Sequence, residues 1–227
     1  VWAARSSTPP PFHSEGWGHA LTLFRDHRVR LGMWLLALGG IGMGVVNTLA
    51  PLTLDDAHVG AVGTGLIFLA MAASAALTSP AVGRLADRHG RIPVTIIVLM
   101  IGATAMTGIG AVSNAGGPVW LLAVLLIIGF VTIEAGYVPG STFLADATSD
   151  VGSSRGEILA LANLGWAMSM TVSSLMAGIA VTRVGVMVPY VLVAICALAT
   201  IPEPGDQFAG ALTHGFIEIP DRAGREE

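Results

Sequence analysis

The sequence predicts an all-α membrane protein with six transmembrane helices, and three observations carry that prediction. Of its 227 residues 53% are apolar and only 11% charged, with a mean hydropathy of +0.74. A soluble domain carries about 25% charged residues. Reading between the charges leaves six apolar segments close to the about 20 residues that cross a hydrocarbon core. Finally, 29 glycines against two tyrosines and seven phenylalanines is the Gly-rich, aromatic-poor balance of closely packed membrane helices. Disorder is excluded, because it needs low hydrophobicity and high net charge. All 11 cations are arginine and the net charge is −4, so no basic excess points to nucleic acid. The one cysteine, Cys196, excludes an intrachain disulfide and a cysteine-based metal cluster.

In chain order, residues 1–30 carry Pro9, Pro10, Pro11 and several charges without a signal-peptide-like apolar run, and read as a cytoplasmic linker. The first span is 31–54, between Arg30 and Asp55, and the second 60–82, between His58 and Arg84. The third, 92–112, fades before the turn-like Ser113-Asn114-Ala115-Gly116-Gly117. The fourth, 118–145, contains one charge, Glu134. The fifth and sixth, 158–182 and 184–201, are divided only by Arg183 and Gly185. A continuous helix there is too long for one crossing, so a tight turn is expected. The polar tail, 202–227, reads as a solvated end that places no docking site.

Six spans put both termini on one side, together with the second and fourth loops. That side receives ten of the 11 arginines, and the other receives Arg183 alone. By the positive-inside rule both termini are cytoplasmic. Trp34 and Trp120 fall at belt depth near the inner and outer ends of their spans. Gly40 with Gly44, and Ala70 with Ser74 and Thr78, offer small-residue faces for close helix contact.

The loop between spans two and three reads Gly83-Arg84-Leu85-Ala86-Asp87-Arg88-His89-Gly90-Arg91-Ile92-Pro93. Its glycines permit a tight reversal, and Pro93 suits the first turn of the next helix. A short basic loop needs no such order. The order resembles the G-x-x-x-D-R/K-x-G-R-R/K loop of the major facilitator superfamily, matched at Gly83, Asp87, Arg88, Gly90 and Arg91, with Ile92 in place of the last basic residue. The resemblance implies a six-helix half bundle of two inverted three-helix repeats. It also implies that Asp87, Arg88 and Arg91 latch the cytoplasmic side. The linker and six spans are similar to the C-terminal half of such a transporter, so the resemblance implies an N-terminal six-helix half as partner, missing from this sequence.

Inverted repeats place a binding site on spans interrupted by glycine and proline at matching positions. Span one carries Gly39, Gly40, Gly42 and Gly44, then Asn47 and Pro51; span four carries Gly129, Glu134 and Gly136, then Pro139 and Gly140. Glu134 is the most informative side chain, because a charged group at mid-span costs roughly 2.5–3.5 kcal/mol on insertion scales. It reads as a proton-coupling or cation-recognising carboxylate. A protonated glutamate bonded to a carbonyl freed near Pro139 remains an alternative. Asn47 is placed to hydrogen-bond a substrate or to join helices, and Tyr137 to wall a pocket or to pack. An intramembrane protease is excluded, since all six histidines lie outside the spans. No span holds a metal-binding cluster, so neither metal nor cofactor is expected.

The expected function is alternating-access transport of a small organic solute, as proton-coupled efflux across the cell membrane. Its partners are the solute, protons and the lipid bilayer. A homodimeric six-span transporter and a non-transporting membrane scaffold stand as the alternatives.

Overall fold

A computed structural model describes residues 27–149 and 155–201. Their regular structure is entirely helical: α1 His27–Asp56, α2 Ala61–His89, α3 Arg91–Ala115, α4 Val119–Ser149, α5 Arg155–Val184 and α6 Met187–Ala199. The expected linker, apart from the first turn of α1, and the expected tail lie outside the described residues. Long helices follow from the composition, because in hydrocarbon each backbone N–H and C=O must be satisfied within its own segment. Five of the six are long and apolar enough to cross a bilayer. The sixth, α6, has 13 residues and is shorter than the segment 184–201 read from the sequence. Gly185, at φ 87°, and Val186 are used in the reversal instead.

Two other reversals use the same hydrogen-bonded cap. After α3, the Gly116 N–H donates to Ser113 O (3.4 Å) and the Gly117 N–H to Val112 O (2.9 Å), with Gly116 left-handed at φ 62°. Glycine suits that place because it has no Cβ to oppose the next carbonyl. After α1, the His58 N–H donates to Asp55 O (2.8 Å) and the Val59 N–H to Leu54 O (2.9 Å), with His58 left-handed at φ 59°. Consecutive helices therefore run antiparallel. One end of the bundle carries Arg30, Arg84, Arg88 and the start of α3, and is called the arginine-rich end below.

Burial puts α1 at the centre. Over its most apolar stretch 56% of residues are buried, against 11% for α2 and for α5. Val46, Leu49 and Ala50 of α1 are fully buried in a core shared with Met106 and Ile109 of α3, Leu126 of α4 and Tyr190 of α6. The closest approach is between α1 and α5. A Cβ at Gly40 would collide with Ser169 Oγ and Trp166 O, and one at Gly44 with Ser173 Oγ and Met170 O. Ser169 and Ser173 donate to those same carbonyls within α5, at 2.8 and 3.0 Å, so their hydroxyls are satisfied at a dry interface. Ser174 Oγ crosses the interface to donate to Gly44 O at 3.2 Å.

The packing obeys an exchange of α1–α3 with α4–α6. α1 packs on α5, and correspondingly α4 packs on α2; α1 also meets α4, and α3 meets α6. This is the pattern of two three-helix repeats related by a pseudo-two-fold axis. One pair departs from it. The α3–α4 seam is closely packed, whereas its counterpart, α1–α6, is sparse. On the side of the bundle where α2 and α5 lie, large apolar residues are left uncovered: Val62, Leu66, Leu69 and Leu77 on α2, and Leu164, Met168, Val172 and Leu175 on α5.

Candidate functional site

Glu134 is carried by α4, which is held on one side by α1 and on another by α3. Ile133 packs beneath Gly39 and Gly42 of α1, and Thr132 and Gly129 pack on Gly102 and Met106 of α3. Each step along a helix rotates a side chain by about 100°. Glu134 therefore leaves α4 away from both contacts, on the sector between α1 and α2. It is half-buried, and among the described residues its carboxylate has no hydrogen bond or ion pair. Ala135, the next residue, turns into a small cluster with Ala86 of α2 and with Val94 and Val98 of α3.

Asn47 occupies the corresponding sector of α1. Gly44, one turn earlier, faces α5, and Gly42 faces α4; helical rotation puts Asn47 between those directions, beside the α5 contact. It too is half-buried without a hydrogen-bond partner among the described residues. The exchange of repeats thus sets Asn47 and Glu134 on the same side of the bundle, the side where α2 and α5 are bare. Tyr137 lies nearer the arginine-rich end of α4, packed against Val29 and Leu36 of α1 and Ala162 of α5.

The loop residues stand apart from these. Gly83 is half-buried in α2, while Asp87 and Arg88 are exposed on its last turns. Asp87 forms no ion pair among the described residues. Gly90 is the single residue between α2 and α3, at φ 90°, and Arg91 opens α3 with its side chain outside the description.

A second feature was not read from the sequence. A small half-open cleft lies within the ring α1–α4–α3–α6, lined by Leu35, Leu38 and Gly39 of α1, Gly102 and Met106 of α3, Thr132 and Gly136 of α4, and Val193 and Ala197 of α6. Its walls are almost wholly apolar, because Thr132 turns its hydroxyl back to Gly129 O at 2.8 Å. Trp34 crosses the α1–α6 seam beside it, its Nε1–H donating to Thr200 Oγ1 at 2.8 Å. These partners are 166 residues apart, and no local spacing announces them.

Comparison with known proteins agrees with this architecture. The family model of the Major Facilitator Superfamily matches residues 6–206. A multi-drug resistance efflux pump, PmrA, of Streptococcus pneumoniae serotype 4 (strain ATCC BAA-334 / TIGR4) is 34% identical over 111 residues, covering 47% of this chain and 26% of that protein. A PmrA homolog of Lactococcus lactis subsp. lactis (strain IL1403) is 37% identical over 79 residues, covering 35% of this chain and 18% of that protein. An MFS-type transporter of Enterobacter sp. (strain 638) is 31% identical over 96 residues, covering 41% of this chain and 25% of that protein. The matched stretches thus span between 18% and 26% of these relatives' lengths. With a family match over most of its length and a bundle of apolar helices to carry it, the chain belongs to the Major Facilitator Superfamily of membrane transporters.

Proposed function

We propose that this chain forms the C-terminal six-helix half of a secondary transporter that exports a small organic solute in exchange for protons, with Glu134 as the coupling carboxylate. The observation that carries the reading is Glu134 itself. It is half-buried in a membrane helix, has no polar partner among the described residues, and is set on the uncovered side of the bundle. A carboxylate kept in that setting is expensive unless it exchanges protons or meets a cation. Asn47 shares that side and supplies a hydrogen-bonding group for the solute. Export is supported by the efflux pumps among the relatives. The bare faces of α2 and α5 suit a preceding six-helix half, and the arginine bias suits a cell-membrane protein with cytoplasmic termini. Asp87, Arg88 and Arg91 would latch that side, with Gly90 making the turn between α2 and α3 and Gly83 lying in the last turns of α2.

The test uses the complete natural protein in proteoliposomes with an imposed pH gradient. Glu134→Gln is expected to abolish gradient-driven efflux while insertion and solute binding persist, and Glu134→Asp to retain part of it. Gradient-driven efflux by the glutamine variant at the parent rate would overturn the coupling role.

A further inference from the structure

The exchange of repeats makes the α1–α6 seam the counterpart of the α3–α4 seam, yet only the latter closes. The α3–α4 seam closes through glycines: Gly102 against Thr132, Gly108 against Leu125, and Gly129 against Met106. On α1, Gly42 also faces α6, and it would take an added Cβ there to bring the helix into ordinary van der Waals contact with Val193, at 3.7 Å. The ring α1–α4–α3–α6 is therefore sealed on three sides and loose on the fourth, and the cleft lies behind the loose side.

The cleft reaches from the middle of the bundle towards the arginine-rich end. It takes Gly102 and Thr132 from the middles of α3 and α4, Leu35 and Leu38 from the first half of α1, and Ala197 from the last turn of α6. Its interior volume is about 40 Å³. That is room for the end of one hydrocarbon chain, not for a folded solute. Apolar voids of this kind stay dry and accept apolar groups. Outside its lining, Trp34 and Thr200 bridge the α1–α6 seam one turn beyond Ala197. Arg30 stands one turn beyond Trp34 on the same face of α1, exposed and without an ion pair among the described residues. An amphipathic indole with a free guanidinium beyond it marks headgroup depth.

We propose that the α1–α6 seam is a lipid site: it takes the end of one acyl chain of an anionic phospholipid from the leaflet at the arginine-rich end. The headgroup phosphate lies at Arg30, and the Trp34–Thr200 hydrogen bond acts as the clasp. A phospholipid fits better than a transported solute for three reasons. The cleft is bordered by the sparsely packed α1–α6 seam, it holds no polar group free to recognise a solute, and its cation stands where a phosphate would be. It faces away from Glu134 and is independent of the coupling role given to that residue.

The complete protein would be reconstituted in vesicles containing phosphatidylglycerol with a photoreactive diazirine at the end of one chain, and the cross-linked peptides mapped. Labelling is expected to concentrate on Leu38, Val193 and Ala197. Gly136→Leu fills the cleft from a position where an added Cβ meets nothing within 4 Å. It should lower that labelling roughly tenfold, the effect of losing about two buried methylenes from the chain. Thr200→Val removes the clasp's acceptor and should raise labelling, so the proposal is tested in the opposite direction even if the leucine variant misfolds. Arg30→Gln should lower labelling by phosphatidylglycerol more than by phosphatidylcholine, whose choline offsets the charge of its phosphate. Labelling spread evenly over the exposed faces of α2, α3 and α5 would overturn the site. Displacement of the label by an excess of transported solute would assign the cleft to the solute and overturn the lipid reading.

Discussion

His58 adopts the left-handed conformation that Gly116 adopts at the equivalent cap, and a residue with a Cβ is strained there by about 1–2 kcal/mol. Its imidazole is exposed and forms no hydrogen bond among the described residues. The strain therefore has no visible local compensation. His58→Gly should raise the stability of the purified protein by about 1 kcal/mol, less the glycine's own entropy cost. Thermal unfolding in detergent measures this, and a lower midpoint would mean that the imidazole makes a stabilising contact. Glu134 belongs to the same scale. One residue towards Ile133 it would enter the α1 contact, and one towards Ala135 it would enter the α2–α3 cluster. Only its own position leaves the carboxylate on the uncovered side.

At the scale of elements, the α1–α5 pair is set by what is missing from its side chains. Gly40 and Gly44 let the backbones approach until α5 carbonyls occupy the space of their β-carbons. In lipid there is no hydrophobic drive for one helix to seek another, so close van der Waals packing and the Ser174–Gly44 hydrogen bond hold the pair. Gly44→Ala is expected to force the helices apart and destabilise the protein by roughly 1–3 kcal/mol. Gly178→Ala on α5 is the control, since nothing lies within 4 Å of its added Cβ. That change should be neutral or slightly stabilising through helix propensity. Equal losses in the two melting curves would refute the close-packing account.

For the whole molecule, the uncovered apolar faces of α2 and α5 are the feature that most demands an explanation. Lipid covers such faces at no cost, but in the proposed transporter they flank a polar sector holding Asn47 and Glu134, which lipid would not accommodate. On that proposal a second six-helix body opposite them would enclose that sector and leave a cavity between the two. The intact mass of the natural protein, purified from its own membrane, is then expected near twice the 23.3 kDa of this chain. A mass near 23.3 kDa would favour two copies of one six-helix unit, with Glu134 contributed twice. The sparse α1–α6 seam lies away from that cavity, so opening it need not disturb alternating access.

Composition alone determined the membrane class, because 53% apolar and 11% charged residues leave no way to cover a protein with water-facing polar surface. The family was legible in the short polar segment from Gly83 to Arg91, where a bare reversal needs few residue types and a specific order therefore carries information. The structure corrects its shape, because α2 runs on through Gly83, Asp87 and Arg88 to His89 and Gly90 alone makes the turn. The positions of small residues at Gly40 and Gly44 announced a close helix contact, but not its partner. In hydrocarbon a helix is apolar all round, so periodicity no longer tells the buried face from the lipid-facing one. Only the tertiary structure joined Gly44 to Ser173 and Trp34 to Thr200, turned Glu134 away from the α1 and α3 contacts, and left one of two symmetry-related seams loose. Those outcomes depend on how six helices share space, which is decided by contacts between residues far apart in the chain, 166 positions for Trp34 and Thr200 and 130 for Ser174 and Gly44.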